Sequence, residues 1–222
     1  MTLDDPHADA RFLMAGEPIE TARLAVILVH GRGGTAPEFL SLASPLGAPG
    51  VAFIAPQAAG NTWYPNSFMA HEDANQPWLG SAHTLLERVL DRLVAVGLGV
   101  DRCGLVGFSQ GACLAADHAH RYPRRYALIG AFTGGLIGPP KTEFAAPPGL
   151  EGTPVYLGAS DPDPHVPWDR VEQSARVLEV QGASVEIERF PGQPHMILHN
   201  QLSAAKAMIS GALEHLGAES PR

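Results

Sequence analysis

Gly107-Phe108-Ser109-Gln110-Gly111 has the spacing G-x-S-x-G, in which small residues flanking a serine permit a turn tight enough to lift its hydroxyl clear of the backbone. A serine so displayed is a candidate nucleophile for acyl transfer. Its hydroxyl is weak near neutral pH and needs an imidazole to take the proton, with an acceptor for the imidazole's other nitrogen. The competing reading, a plain helix N-cap serine, requires neither partner. Whether the chain supplies a base and an acid therefore decides between them.

Of the ten histidines, His195 is the best placed base. It follows an apolar strand pattern through the loop Pro-Gly-Gln-Pro and precedes the last helical segment, so it comes after both the serine and the candidate acids. His199 is its nearest rival. The pair His195 and His199, in His-Met-Ile-Leu-His, lacks the glutamate and third ligand of a zinc site, so no metal is expected. His83, His118, His120 and His215 fall in helical patterns, where a packed or solvated imidazole is the ordinary reading.

Two acids, Asp161 and Asp163, lie in the turn after the strand pattern 153–158, and position alone does not separate them. Either could also serve as a turn-capping residue. A developing oxyanion needs two backbone donors: the amide of Gln110, next to the serine, and one from the glycine-rich loop His30 to Gly34, for which Arg32 is the candidate. A plain glycine turn is the alternative. Trp63, Tyr64, Phe68 and Trp78 are candidates for a pocket wall, with ordinary core packing as the competing reading; Trp63 and Tyr64 have the stronger claim.

The elements that must position these groups alternate along the chain. Leu24 to His30 is a nearly continuous apolar run, the pattern of a strand buried on both faces. Similar short strands are read at 51–55, 102–108, 126–132, 153–158 and 184–190. Helices are read at 37–46, 77–96, 110–121, 168–181 and from about 200 to 216, with a Gly- and Pro-rich surface loop at 134–152. This alternation implies one α/β domain over 1–222 with a mainly parallel, doubly wound sheet flanked by helices. Residues 1–20 are read as a partly irregular extension. Ser109 then sits at a strand-to-helix turn, the context its chemistry requires.

Composition narrows the function. The 222 residues suit one domain with a full core, and no run of eighteen apolar residues is present, so membrane insertion is not expected. The first twenty residues lack the apolar stretch of a signal peptide, and a cytoplasmic location is the expectation. A formal charge of −8 disfavours nucleic acid as a partner. Cys103 and Cys113 are too few for a disulfide framework and read as free core thiols.

Taken together, Val-His-Gly-Arg-Gly-Gly (29–34), Asn-Thr-Trp-Tyr-Pro (61–65), Gly-Phe-Ser-Gln-Gly-Ala (107–112), Asp-Pro-Asp-Pro-His-Val-Pro (161–167) and Gly-Gln-Pro-His (192–195) resemble the phospholipase/carboxylesterase family of α/β-hydrolases. The likeness runs from Ala25 to His199. The resemblance implies an α/β-hydrolase fold, Asp163 rather than Asp161 as the acid that orients His195, amides of Arg32 and Gln110 as oxyanion donors, no cofactor and frequent homodimers. It implies a serine esterase acting on short- to medium-chain carboxylic esters through an acyl-enzyme on Ser109. A thioesterase or lysophospholipase would use the same machinery. A hydrolase-fold receptor that binds a ligand without cleaving it is the reading from a different class. Set against that family, the segment after Trp63-Tyr64 and the loop 138–149 look longer and richer in proline than in the members that depalmitoylate proteins.

Overall fold

The computed structural model describes residues 5–218, with the side chain of Ala218 excluded. The chain runs through β1 (Phe12–Gly16), β2 (Leu24–Val29), α1 (Ala36–Leu40), α2 (Ala43–Leu46), β3 (Val51–Pro56), α3 (Trp78–Ala95), β4 (Cys103–Phe108), α4 (Gln110–Arg121), β5 (Leu128–Phe132), β6 (Pro154–Asp161), α5 (Trp168–Val180), β7 (Ser184–Pro191) and α6 (His199–Ala218). Seven strands form one sheet in the order β1-β3-β2-β4-β5-β6-β7. Every neighbouring pair is parallel except β1 with β3.

The apolar run of β2 shows why the sheet is central. Ala25, Ile27 and Val29 face one core with the apolar sides of α3, α4 and α5. Leu24, Val26 and Leu28 face the other with α1, α2 and α6. All six are fully buried. A strand with helices on both faces has no side on which a polar residue would be solvated, so its sequence cannot alternate. The edge strand β1 is different: Leu13 and Met14 are 43% and 50% exposed. This strand falls inside the extension read as partly irregular and is an addition to the elements expected from sequence. The single helix read at 37–46 is two short ones, α1 and α2, separated at Ser41 and Leu42. The strand read at 153–158 continues to Asp161.

The chain turns from β2 to β3 on one side, then crosses back to place β4 on the other side of β2. In open α/β sheets, the crevice at such a reversal, at the carboxyl ends of the strands, is where ligands bind. The loop after β2 and the turn after β4 both open there, with Val29 beside Gly107 in the ladder.

Helix α4 must start almost on top of the sheet, and Gly111 permits it. A Cβ at Gly111 would lie 2.1 Å from the Val29 carbonyl oxygen and one at Gly107 would lie 2.2 Å from the Gly111 oxygen. Both contacts are with backbone, which cannot rotate away. Behind α4, a buried polar cluster joins it to α3: His83 Nε2 and Asp117 Oδ2 are 3.2 Å apart, and Arg121 Nε donates to the same oxygen at 2.6 Å. Asp117 Oδ1 also accepts the Ile137 N–H at 3.1 Å. Although burial opposes its charge, these partners hold the Asp117 carboxyl below its usual range.

Gly111→Ala is expected to lower stability by about 1–3 kcal/mol or more through overpacking, a fall of roughly 3–10 °C in Tm by differential scanning calorimetry. A second expectation concerns pH. Burial pushes the His118 imidazole down to about 4. An unfolded chain takes up that proton near pH 6.5 while the folded chain does not, so stability falls as pH drops from 6.5 towards 4. Urea unfolding across that window should show the loss, with His118 contributing on the order of 3 kcal/mol at most; His118→Asn should reduce it, leaving the part due to His7 and His30, which burial also lowers.

Candidate active site

Ser109 occupies the turn between β4 and α4 with φ 54° and ψ −118°, in the left-handed half of backbone space. A non-glycine residue there carries strain of about 1–3 kcal/mol and persists only when its surroundings enforce it. The enforcement is visible: the Ser109 N–H donates to the Phe132 carbonyl at 2.9 Å, and its own carbonyl accepts the Cys113 N–H at 3.0 Å. The side chain is thereby aimed away from the sheet.

His195 follows β7 on a loop that brings its Nε2 to 2.9 Å from Ser109 Oγ and its Nδ1 to 2.7 Å from Asp163 Oδ2. These three groups come from segments separated by up to 86 positions, which the fold gathers at one sheet edge. The other oxygen of Asp163 accepts the N–H groups of His165 and Val166, each at 2.9 Å. Its side chain is fully buried, at 0% exposure. Although desolvation works against the charge, the His195 contact and the two N–H donors hold its pKa below the ordinary carboxylate value. Asp163 is therefore a carboxylate fixed in orientation and available to an imidazolium.

Asp161 is placed elsewhere. As the last residue of β6 it pairs with Arg189 of the neighbouring strand, with Nε at 2.7 Å from its Oδ2. His199 begins α6 and its Nε2 lies 3.5 Å from Ser203 Oγ. Neither approaches Ser109 in the hydrogen-bond network.

The backbone N–H groups of Arg32 and Gln110 donate to no loop acceptor among the described residues. Gln110 opens α4, where an N–H has no partner within the helix. Their side chains are occupied with one segment. Gln110 Oε1 accepts the Trp63 N–H at 2.9 Å and its Nε2 donates to the Tyr64 carbonyl at 2.7 Å. Arg32 donates to the Pro65 carbonyl at 2.8 Å and to the Asn66 carbonyl at 2.6 Å. Residues 63–66 are thus clamped between the two loops that flank Ser109.

A cavity of about 550 Å³ opens over the serine, with Tyr64, Phe68, Phe108, His165 and Val166 in its wall. Tyr64 is in this wall, as is Phe68. Trp63 is not: its indole N–H donates to the His30 carbonyl at 2.7 Å and its ring packs 4.8 Å from the His30 ring, so its role here is core packing. Trp78, at the start of α3, packs against His7 and also lies outside the cavity. Phe108, His165 and Val166 were not singled out from sequence. The signal available was adjacency, since Phe108 precedes Ser109 and the other two follow Asp163. Cys103 and Cys113 are free and buried. Burial pushes both thiols up to about 12, which makes them inert as nucleophiles.

A doubly wound sheet with a serine on a strained strand-to-helix turn and a late histidine beside it defines an α/β-hydrolase. The chain belongs to the Phospholipase/Carboxylesterase family, whose sequence model matches residues 14–213. It is similar to a phospholipase/carboxylesterase from Dyadobacter fermentans, with 39% identity over 90% of this chain and 96% of that one and a TM-score of 0.85. Esterase PE8 is 28% identical over 91% of this chain and 99% of its own, with a TM-score of 0.75. Acyl-protein thioesterase 1 of Eremothecium gossypii is 26% identical over 88% of this chain and 90% of its own length. No helix among the described residues is long and apolar enough to cross a membrane.

The two aspartates should respond differently. Asp163→Asn is expected to slow phosphonylation of Ser109 by a fluorophosphonate on the order of 10²- to 10⁴-fold, since the imidazole loses its tautomer and its counter-charge. Asp161→Asn should stay within a few-fold of the native rate. Equal losses, followed by mass spectrometry of the Ser109 peptide, would sink the assignment of Asp163.

Proposed function

We propose that this hydrolase is a serine carboxylesterase in which Ser109, His195 and Asp163 form the catalytic triad. The observation that carries the reading is His195, held between Ser109 Oγ at 2.9 Å and Asp163 Oδ2 at 2.7 Å at the floor of a 550 Å³ cavity. Nε2 accepts the serine proton as Oγ attacks the ester carbonyl, and Asp163 stabilises the imidazolium that results. The tetrahedral oxyanion takes hydrogen bonds from the Arg32 and Gln110 amides. Collapse expels the alcohol with the proton returned by His195, and a water activated by the same imidazole then releases the acid from the acyl-serine. No cofactor takes part.

Short- to medium-chain esters are the favoured substrates. The cavity has room for a ligand of modest size, and segment 63–66 is tied in place by Arg32 and Gln110, so its wall does not easily recede for a long acyl chain. The similarity to esterase PE8 and to the Dyadobacter fermentans protein supports an ester substrate.

Hydrolysis of p-nitrophenyl esters from acetate to palmitate tests this. The native protein should peak at short to medium chains and fall off towards palmitate. Ser109→Ala should lose on the order of 10⁴-fold or more in kcat while keeping the native circular dichroism spectrum. Flat activity that survives the substitution would overturn the serine mechanism, and a maximum at palmitate would overturn the chain-length reading.

A further inference from the structure

The chain has a formal charge of −8, yet the residues lining the cavity include one permanent cation, Arg32, and no aspartate or glutamate. The carboxylate of Asp163 is shielded behind the His195 ring, fully buried and committed to three hydrogen bonds.

Arg32 is the unusual member. Its guanidinium donates to two backbone carbonyls, of Pro65 and Asn66, and lies 6.0 Å from the centre of the Tyr64 ring. Among the described residues it pairs with no carboxylate. Two carbonyls occupy two of the five N–H donors of this exposed guanidinium, whose fork is shaped to grip a carboxylate or phosphate. The preceding residue, Gly31, is close to the reacting centre: a Cβ built on it would sit 3.6 Å from Ser109 Cβ. Arg32 therefore follows a backbone position that touches the serine, and both residues line the same cavity.

We infer that the cavity selects esters that carry a small anionic group, of which a carboxylate is the simplest, near the scissile carbonyl, with the Arg32 side chain as the residue that recognises it. The inference rests on the esterase reading above and adds the substrate's charge to it. The anion is a spectator: water cleaves the acyl–oxygen bond to give acid and alcohol, and the recognised group leaves unchanged. On this view Arg32 has two roles, its backbone N–H facing the oxyanion and its side chain facing the substrate's charge.

The test compares matched esters. Monomethyl glutarate places a carboxylate on the acyl side and carboxymethyl butyrate places one on the alcohol side; dimethyl glutarate and methyl butyrate are their neutral counterparts. The native protein should favour one of the anionic esters over its counterpart by about tenfold or more in kcat/KM, a preference that shrinks with added salt. Arg32→Met should reduce the ratio to near one, and Arg32→Lys should retain part of it. Because Arg32 also holds segment 63–66, the readout is the ratio within each variant and not the absolute rate. Equal or faster hydrolysis of both neutral esters by the native protein overturns the inference and leaves the esterase reading standing. Should the native protein hydrolyse none of the four, equilibrium binding of the same compounds to Ser109→Ala decides. Tighter binding of an anionic ester that is lost on adding Arg32→Met keeps the anion site and overturns the ester assignment, whereas equal binding overturns the inference.

Discussion

The left-handed backbone of Ser109 is the constraint around which the rest of the site is built. At φ 54° the residue is strained, and no local preference of serine would keep it there. What holds it is packing at longer range: β4 fixed between β2 and β5, and α4 lying so close to β2 that position 111 has no space for a side chain. Relaxing the turn would pull the start of α4 off the sheet and expose the alanine-rich face of that helix. The strain is small beside the apolar surface that Ala112, Leu114, Ala115, Ala116 and Ala119 bury, at roughly 25 cal/mol per Å².

The same economy governs the cavity wall. Arg32 and Gln110, the residues proposed to supply the oxyanion amides, use their side chains to hold residues 63–66. A shift of that segment would thus be felt at both positions at once. Farther back, Asp117 accepts the Ile137 N–H, Arg170 donates to the Leu136 and Gly138 carbonyls, and the Gly138 N–H donates to the Phe68 carbonyl. This chain of bonds runs from the buried α3–α4 cluster to a residue of the cavity wall. It adds directional bonds to the apolar packing of Phe68, Leu136 and Ile137, and preorganised donors gain most from such rigidity.

Much of this was legible in the sequence, for identifiable reasons. Central parallel strands are apolar on both faces, so β2, β3 and β4 stand out as uninterrupted runs. Edge strand β1 does not, because its exposed Leu13 and Met14 follow no burial pattern that distinguishes a strand from a loop. Ser109 and His195 were readable from motif and order. Asp161 and Asp163 were not separable by position, because the strand read at 153–158 runs on to Asp161. Ladder pairing there sets Asp161 beside the cation of Arg189, and Asp163 falls beyond the strand end in the turn that faces His195. Only a resemblance could choose between them in advance. Trp63 and Tyr64 illustrate another limit. Aromatic type does not tell core from cavity, and in the bend at 63–66 Trp63 packs on His30 while Tyr64 lines the cavity.

The side chain of Arg32 could not be interpreted from sequence at all, since the reasoning that singled out the residue concerned its amide alone. An exposed arginine on a glycine-rich loop is ordinarily paired with a nearby acid. In an acidic protein such acids are plentiful, and Arg121, Arg124 and Arg189 each find one. Arg32 instead binds carbonyls at the rim of a cavity whose lining lacks carboxylates. A clamp on two carbonyls explains its length and its donors but does not require its charge, which a neutral glutamine would lack. A permanent cation at this place is accounted for when the missing counter-charge arrives with the substrate.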